Sequence, residues 1–203
     1  MNSVISPSIE EYIRTGKPKD FKNPNICIFT SYTMDKPQRI EMSRRVAENQ
    51  RGYSIEKGYT YFEYAENLAI EIDPITGERV TWEPYWSKIA AINKILANKE
   101  TSLENPAEWI VWMDDDAVIT NPTIRMEDVI HHYTSKKKDL NFFVTSDSMS
   151  HIFPDIPLNS AVLFIKNNEW SRVFFEEIWS MRKKNSSRKT IYLWKLSEPA
   201  LST

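Results

Sequence analysis

Apolar residues gather along this chain in short blocks separated by polar, proline-marked joints. Asn25 to Thr30 is nearly all apolar and suits a strand buried on both faces, as in a parallel sheet. The polar loop Thr30-Ser31-Tyr32-Thr33 follows. Pro37 can open a helix through Ile40, Ser43, Val46 and Ala47, with Gly52 near its end. The aromatic stretch Tyr59 to Tyr64 predicts a second strand. Residues 65–82 show no clear period, although Asp73-Pro74-Ile75-Thr76-Gly77 has the chemistry of a turn. From Pro84 onward, Trp86, Ile89, Ile92, Ile95 and Leu96 recur at helical spacing.

Asn105-Pro106 breaks that helix from the next block, Trp109-Ile110-Val111-Trp112-Met113. Five apolar residues in a row are short for a helix and right for a buried strand. Asp114-Asp115-Asp116 ends it, and Asn121-Pro122 stops the segment beyond. A short helix is predicted over Met126 to Tyr133, with strands over Leu140 to Thr145 and Ser160 to Lys166. Trp170, Val173, Phe174, Ile178 and Trp179 mark the last helix, and the pattern decays into a polar tail after Lys184. Alternating strands and helices predict an α/β fold with a mostly parallel sheet. The expected division is an extension over 1–24, one domain over 25–185 and a tail over 186–203, with no internal repeat.

Composition narrows the function classes. A chain of 203 residues with 41% hydrophobic residues can build one core. A net charge of -2 argues against a nucleic-acid binder held by phosphate contacts. The single cysteine, Cys27, excludes an intrachain disulfide, and no Cys/His zinc pattern exists. Cys27 lies inside Ile26-Cys27-Ile28-Phe29, which marks it as a small buried hydrophobe. No stretch approaches the roughly 18–20 apolar residues of a membrane span. The first residues carry no signal-peptide core. The expectation is a soluble, cytoplasmic chain.

The acidic run carries the candidate chemistry. Adjacent carboxylates at the end of a buried strand repel one another and lose solvation, so a cation is a natural partner. Residues two apart in an extended segment point to the same side. Asp114 and Asp116 would then converge on one ion, with Asp115 turned away. Oxygen ligands suit Mg²⁺ or Mn²⁺, which can also hold a diphosphate. Ligands of open α/β sheets sit beyond the carboxyl ends of the strands, where this run falls. The plain alternative is an acidic loop or helix start. An EF-hand calcium loop fits badly, because Val118 and Thr120 stand where ligands are needed and no glycine supplies the turn.

The stretch from Trp109 through Asp114-Asp115-Asp116-Ala117 to Pro122 resembles the Asp-x-Asp segment of the galactosyl/mannosyl/xylosyltransferase family. That family includes fungal α-1,2-galactosyltransferases, yeast Golgi mannosyltransferase subunits and plant xyloglucan xylosyltransferases. Three further stretches agree in order. Asn49 to Tyr59 resembles the family's Asn…Tyr…Gly-Tyr segment, and Tyr85-Trp86-Ser87-Lys88-Ile89 its aromatic-Trp-x-Lys helix start. Pro157 to Ser171 resembles its Leu-Asn-Thr-Gly…Arg-Asn-x-x-Trp-Ser block. The resemblance covers about residues 25–180.

The resemblance implies a GT-A, Rossmann-like fold and a UDP- or GDP-sugar donor. It also implies a divalent metal, usually Mn²⁺, and transfer to a glycan or other hydroxyl acceptor with retention at the anomeric carbon. Asp114 and Asp116 would hold the metal and diphosphate. Thr30, Ser31, Lys88 and Asp115 would lie on the donor side, and Asn159, Ser160 and Asp147 on the sugar or acceptor side. No catalytic base is assigned.

Two departures stand out. Leu158-Asn159-Ser160-Ala161 replaces Leu-Asn-Thr-Gly, so Ala161 adds a methyl group where backbone approaches ligand. The family's acidic Asp-Gln segment and C-terminal metal-binding His have no match after Ser180. His131 and His132 read as surface helix residues, and His151 as a loop residue. The expectations are therefore two: a working transferase, or a shortened, non-catalytic relative that binds nucleotide or a partner without turnover.

Overall fold

The computed structural model describes residues 25–32, 37–97, 106–137, 139–146 and 158–183. Its centre is a five-stranded sheet in the order β2-β1-β5-β7-β6. The strands are β1 (Ile26–Ser31), β2 (Thr60–Tyr64), β5 (Trp109–Met113), β6 (Phe142–Ser146) and β7 (Leu158–Lys166). β1 pairs in parallel with β2 and β5, and only β7 runs against the rest. The sheet is thus mostly parallel, as the alternation of elements predicted.

Among the described residues, four α-helices cover its two faces. These are α1 (Pro37–Lys57), α2 (Trp86–Leu96), α3 (Met126–Lys136) and α4 (Glu169–Ser180). Strand side chains alternate between the faces. Cys27, Phe29, Ile110 and Trp112 meet Ile89, Ile92 and Ile95 of α2 and Phe175 and Ile178 of α4. Ile26, Ile28, Val111 and Met113 meet Tyr53 of α1 and Met126 and Ile130 of α3. β5, covered on both faces, is therefore apolar at every position, which explains the unbroken run over 109–113. Cys27 is fully buried, and burial pushes its thiol up to about 12, as befits a core residue.

Several boundaries differ from the sequence reading. α1 continues through Gly52 and stops at Gly58, whose φ of 75° suits glycine. Gly58 N–H donates to Ile55 O and Tyr59 N–H to Ser54 O, satisfying the last carbonyls of the helix. Gly52 is tolerated inside because packing of the opposite face fixes the helix. Residues 70–81 form an unforeseen hairpin of β3 (Ile70–Ile72) and β4 (Arg79–Thr81) around the expected turn. Arg182, 5% exposed, ties this hairpin to the end of α4. It pairs with Glu71 at 2.6 Å and lies over the rings of Trp82 and Trp179.

His132 is also buried rather than on the surface. It sits edge-on to Tyr133, with Lys136 Nζ 3.0 Å from its Nε2. Burial first, and then the Lys136 charge, lower its pKa. Among the described residues, no helix is long and apolar enough to cross a membrane.

Candidate functional site

The acidic run does not continue the strand. Ala117 N–H donates to Asp114 O at 3.0 Å, so Asp114 to Ala117 form a turn capping β5. The extended geometry that would align Asp114 with Asp116 is therefore absent. Alternation persists for only one step beyond β5, and it sends the first two aspartates to opposite layers.

Asp114 faces α2, half-buried. Its Oδ1 accepts from Lys88 Nζ at 2.7 Å and from Trp112 Nε1 at 2.6 Å. Lys88 Nζ also donates to Ser160 O at 2.9 Å and Ser160 Oγ at 3.0 Å. It lies over the Trp112 ring, 5.4 Å from the centroid. The free carbonyl of Ser160 has a structural cause. Val144 pairs with Leu163, yet Thr145 pairs with Asn159, so β7 bulges over Ser160, Ala161 and Val162. On the other side of β7, Ala161 O accepts from Asp114 N–H. Asn159 turns Oδ1 back onto Ala161 N–H at 2.9 Å.

Asp115 faces α1 and is buried. Arg39 grips it through Nε at 3.1 Å and Nη2 at 2.8 Å, and Ser43 Oγ adds a bond of 2.8 Å. Its carboxylate lies against α1, not at the open end of β5 where the donor side was expected. Asp116, at the turn's outer corner, is exposed and makes no ion pair with a described residue.

α1 also grips the backbone around the turn. Gln50 Nε2 donates to Asp114 O and Ala117 O, and Asn49 exchanges two bonds with the Ile119 backbone. Farther along, Tyr53 donates to Ile124 O at 2.6 Å, and Tyr59 donates to the buried carboxylate of Glu127 and accepts from Met126 N–H. The Asn49-to-Tyr59 motif thus serves as scaffold for the segment after the acidic turn. Burial works to raise the pKa of Glu127, but hydrogen bonds from Arg125 and Tyr59 outweigh it and leave it lowered. Burial and then the Glu127 bond raise that of Tyr59.

Of the predicted residues, Ser31, Lys88, Asp114 and Ser160 gather at the carboxyl end of β1 and β5. Phe29 stands level with Trp112, so Ser31 is level with Asp114 and on the same face. Thr30 is not a loop residue. It lies inside β1, on the α1 face, buried and with an unpartnered hydroxyl. Asp147 and His151 lie outside the described residues. Arg39, Ser43, Asn49, Gln50 and Trp112 were missed. Polar residues at 39, 43 and 50, on the stripe of α1 that also carries Val46 and Tyr53, were the available signal.

A mostly parallel sheet between helical layers, with an acidic turn closing a central strand, defines a GT-A-like architecture. Comparison supports this. A glycosyltransferase involved in the glycosylation of the major capsid of PBCV-1 superimposes with a TM-score of 0.52 at 17% identity, covering 85% of this chain and 73% of that one. At that identity the likeness concerns the fold. The model of the galactosyl transferase GMA12/MNN10 family matches residues 22–195, and the chain belongs to that family. Proteins of Oryza sativa, subspecies indica and japonica, each named "Probable glycosyltransferase 7", are 29% identical over 107 residues. That match takes in 48% of this chain and 20% of the relatives' length, so the chain spans about a fifth of them.

Proposed function

We propose that this chain forms the donor-binding core of a retaining glycosyltransferase. It moves a hexosyl or pentosyl unit from a UDP- or GDP-sugar to a hydroxyl of a glycan acceptor. The observation that carries this reading is the convergence of Ser31, Lys88, Asp114 and Ser160 on one face at the carboxyl end of the sheet, beside exposed Asp116. Open α/β sheets bind ligands at that end. Family membership supplies the reaction class.

A divalent cation, Mn²⁺ or Mg²⁺, belongs to this reading. Asp116 offers a carboxylate free of described ion pairs, and the bonds to Asp114 fall on Oδ1. Among the described residues, no three His, Cys, Asp or Glu side chains converge as a metal cage. The donor set therefore suits an ion held by one or two carboxylates and completed by substrate phosphates and water. When bound, such an ion offsets charge on the departing diphosphate. Lys88 adds a fixed positive charge on the same side. Asn159 and Ser160, at the start of β7, serve the sugar or acceptor side.

The test is equilibrium binding of UDP and GDP with Mn²⁺, together with hydrolysis or transfer from the matching sugar nucleotides. Asp114→Ala with Asp116→Ala is expected to remove metal-dependent binding and turnover. Binding that is unchanged in the double variant rejects the assigned site. Nucleotide binding without turnover by the full chain selects a binding role over catalysis.

A further inference from the structure

Two residues assigned to ligands at this site neutralise each other. The Lys88 ammonium has three N–H donors. They match three acceptors on the chain: Asp114 Oδ1 at 2.7 Å, Ser160 O at 2.9 Å and Ser160 Oγ at 3.0 Å. The ammonium is thus saturated before any phosphate arrives. Asp114 Oδ1 is likewise filled, by Lys88 and by Trp112 Nε1. The side chains of Lys88 and Asp114 are 17% and 27% exposed, so water screens the pair only in part.

We propose that Lys88 is an exchangeable internal counter-ion of Asp114, and that a divalent cation loads by displacing it. This rests on the reading of Asp114 as a metal ligand. Lys88 is a positioning residue in this scheme. When the cation takes Asp114, the ammonium keeps both Ser160 acceptors and loses one. That N–H is then open to a phosphate oxygen. Without a diphosphate, the two cations face each other only partly screened and loading is opposed. With one, both charges meet the same anion. Metal and nucleoside diphosphate therefore bind with positive coupling, and by linkage each strengthens the other equally. The bulge in β7 is integral to the device, because it frees the Ser160 carbonyl that retains the lysine.

The experiment uses the full 203-residue chain. Mn²⁺ binding is measured by electron paramagnetic resonance without nucleotide, for wild type, Lys88→Met and Lys88→Arg. Lys88→Met is expected to bind Mn²⁺ at least about tenfold more tightly than wild type, which corresponds to about 1.4 kcal/mol. Lys88→Arg, which keeps the charge, is expected to stay near wild type. A second readout needs no variant: acylation of Lys88 Nζ, followed by mass spectrometry, is expected to quicken on adding Mn²⁺. Equal or weaker Mn²⁺ binding by Lys88→Met, or acylation indifferent to Mn²⁺, overturns the exchange and leaves the metal site standing. Absence of Mn²⁺ binding in all three proteins, with and without UDP or GDP, overturns both the exchange and the metal assignment.

Discussion

Asp114 and Asp115 are adjacent in sequence and belong to different layers of the molecule. Asp115 is buried against α1, with both oxygens held by Arg39 and Ser43. Asp114 stands at the open end of the sheet, and its partner Lys88 comes from α2, where the Trp-x-Lys motif begins. One carboxylate is fixed as part of the frame. The other is held by the Trp112 indole N–H and by one ammonium that has two further acceptors to fall back on. An acidic run is therefore not a set of equivalent carboxylates: the strand's alternation sends its first two members to different layers.

Truncating each aspartate separates these roles most sharply. Asp115→Ala leaves Arg39 and Ser43 facing an empty, buried position. Removing one partner of a fully buried ion pair costs about 3–5 kcal/mol, but half-exposed Arg39 regains water, so about 2 kcal/mol is expected. Asp114→Ala leaves Lys88 bonded to Ser160 and takes an acceptor from Trp112 Nε1, and a loss of about 1 kcal/mol is expected. Urea midpoints at unchanged slope measure both. If Asp114→Ala destabilises as much as Asp115→Ala, the division into frame and exchangeable site fails.

The central strands were legible because being buried on both faces leaves an unbroken apolar run, as in Trp109–Met113. The acidic run and Lys88 were legible through motif resemblance, and their place at one sheet end followed from topology. What escaped was side-chain direction within the turn. Whether Asp116 aligns with Asp114 depends on whether the backbone stays extended, and the bond from Ala117 N–H to Asp114 O decides that. The role of α1 escaped for a related reason. Its inner stripe carries Ser43, Gln50 and Ser54 among Val46, Ala47 and Tyr53, so hydrophobic spacing alone understates its burial. The hairpin over 70–81 escaped because each of its strands has only three residues, too few to show a period.

The frame side carries a second buried acid, which gives it a pH signature. The pKa of Glu127 is lowered from 4.5 on folding, net of burial, by its bonds from Arg125 and Tyr59. A lowered folded-state value means that the unfolded chain binds the proton first. The contribution is therefore complete above about pH 4.5 and is lost as pH falls through the lower folded value. Glu127→Gln is expected to be less stable than wild type at neutral pH, with the gap closing below pH 4.5. Chemical denaturation from pH 3 to 7 checks this, and a gap independent of pH refutes a charged Glu127 in the frame.

The smallest effects concern the rod that carries the frame. α1 carries Arg39, Ser43 and Gln50 on one stripe with Asn49 beside it, so its stop fixes where they stand against the acidic turn. Gly58 ends it at φ 75°, a conformation that L side chains rarely adopt, although a Cβ there meets nothing within 4 Å. Gly52 lies inside the helix and is equally uncrowded. The same substitution thus has opposite signs six residues apart. Gly58→Ala is expected to destabilise by about 1 kcal/mol through the backbone alone. Gly52→Ala is expected to stabilise by about 0.5–1 kcal/mol, because alanine has fewer unfolded conformations to lose. Thermal melts of the two variants measure the pair. Because neither position touches Asp114 or Lys88, Mn²⁺ affinity is expected to stay level in Gly52→Ala. A shift there would mean that the exchangeable side of the turn also depends on the stiffness of α1.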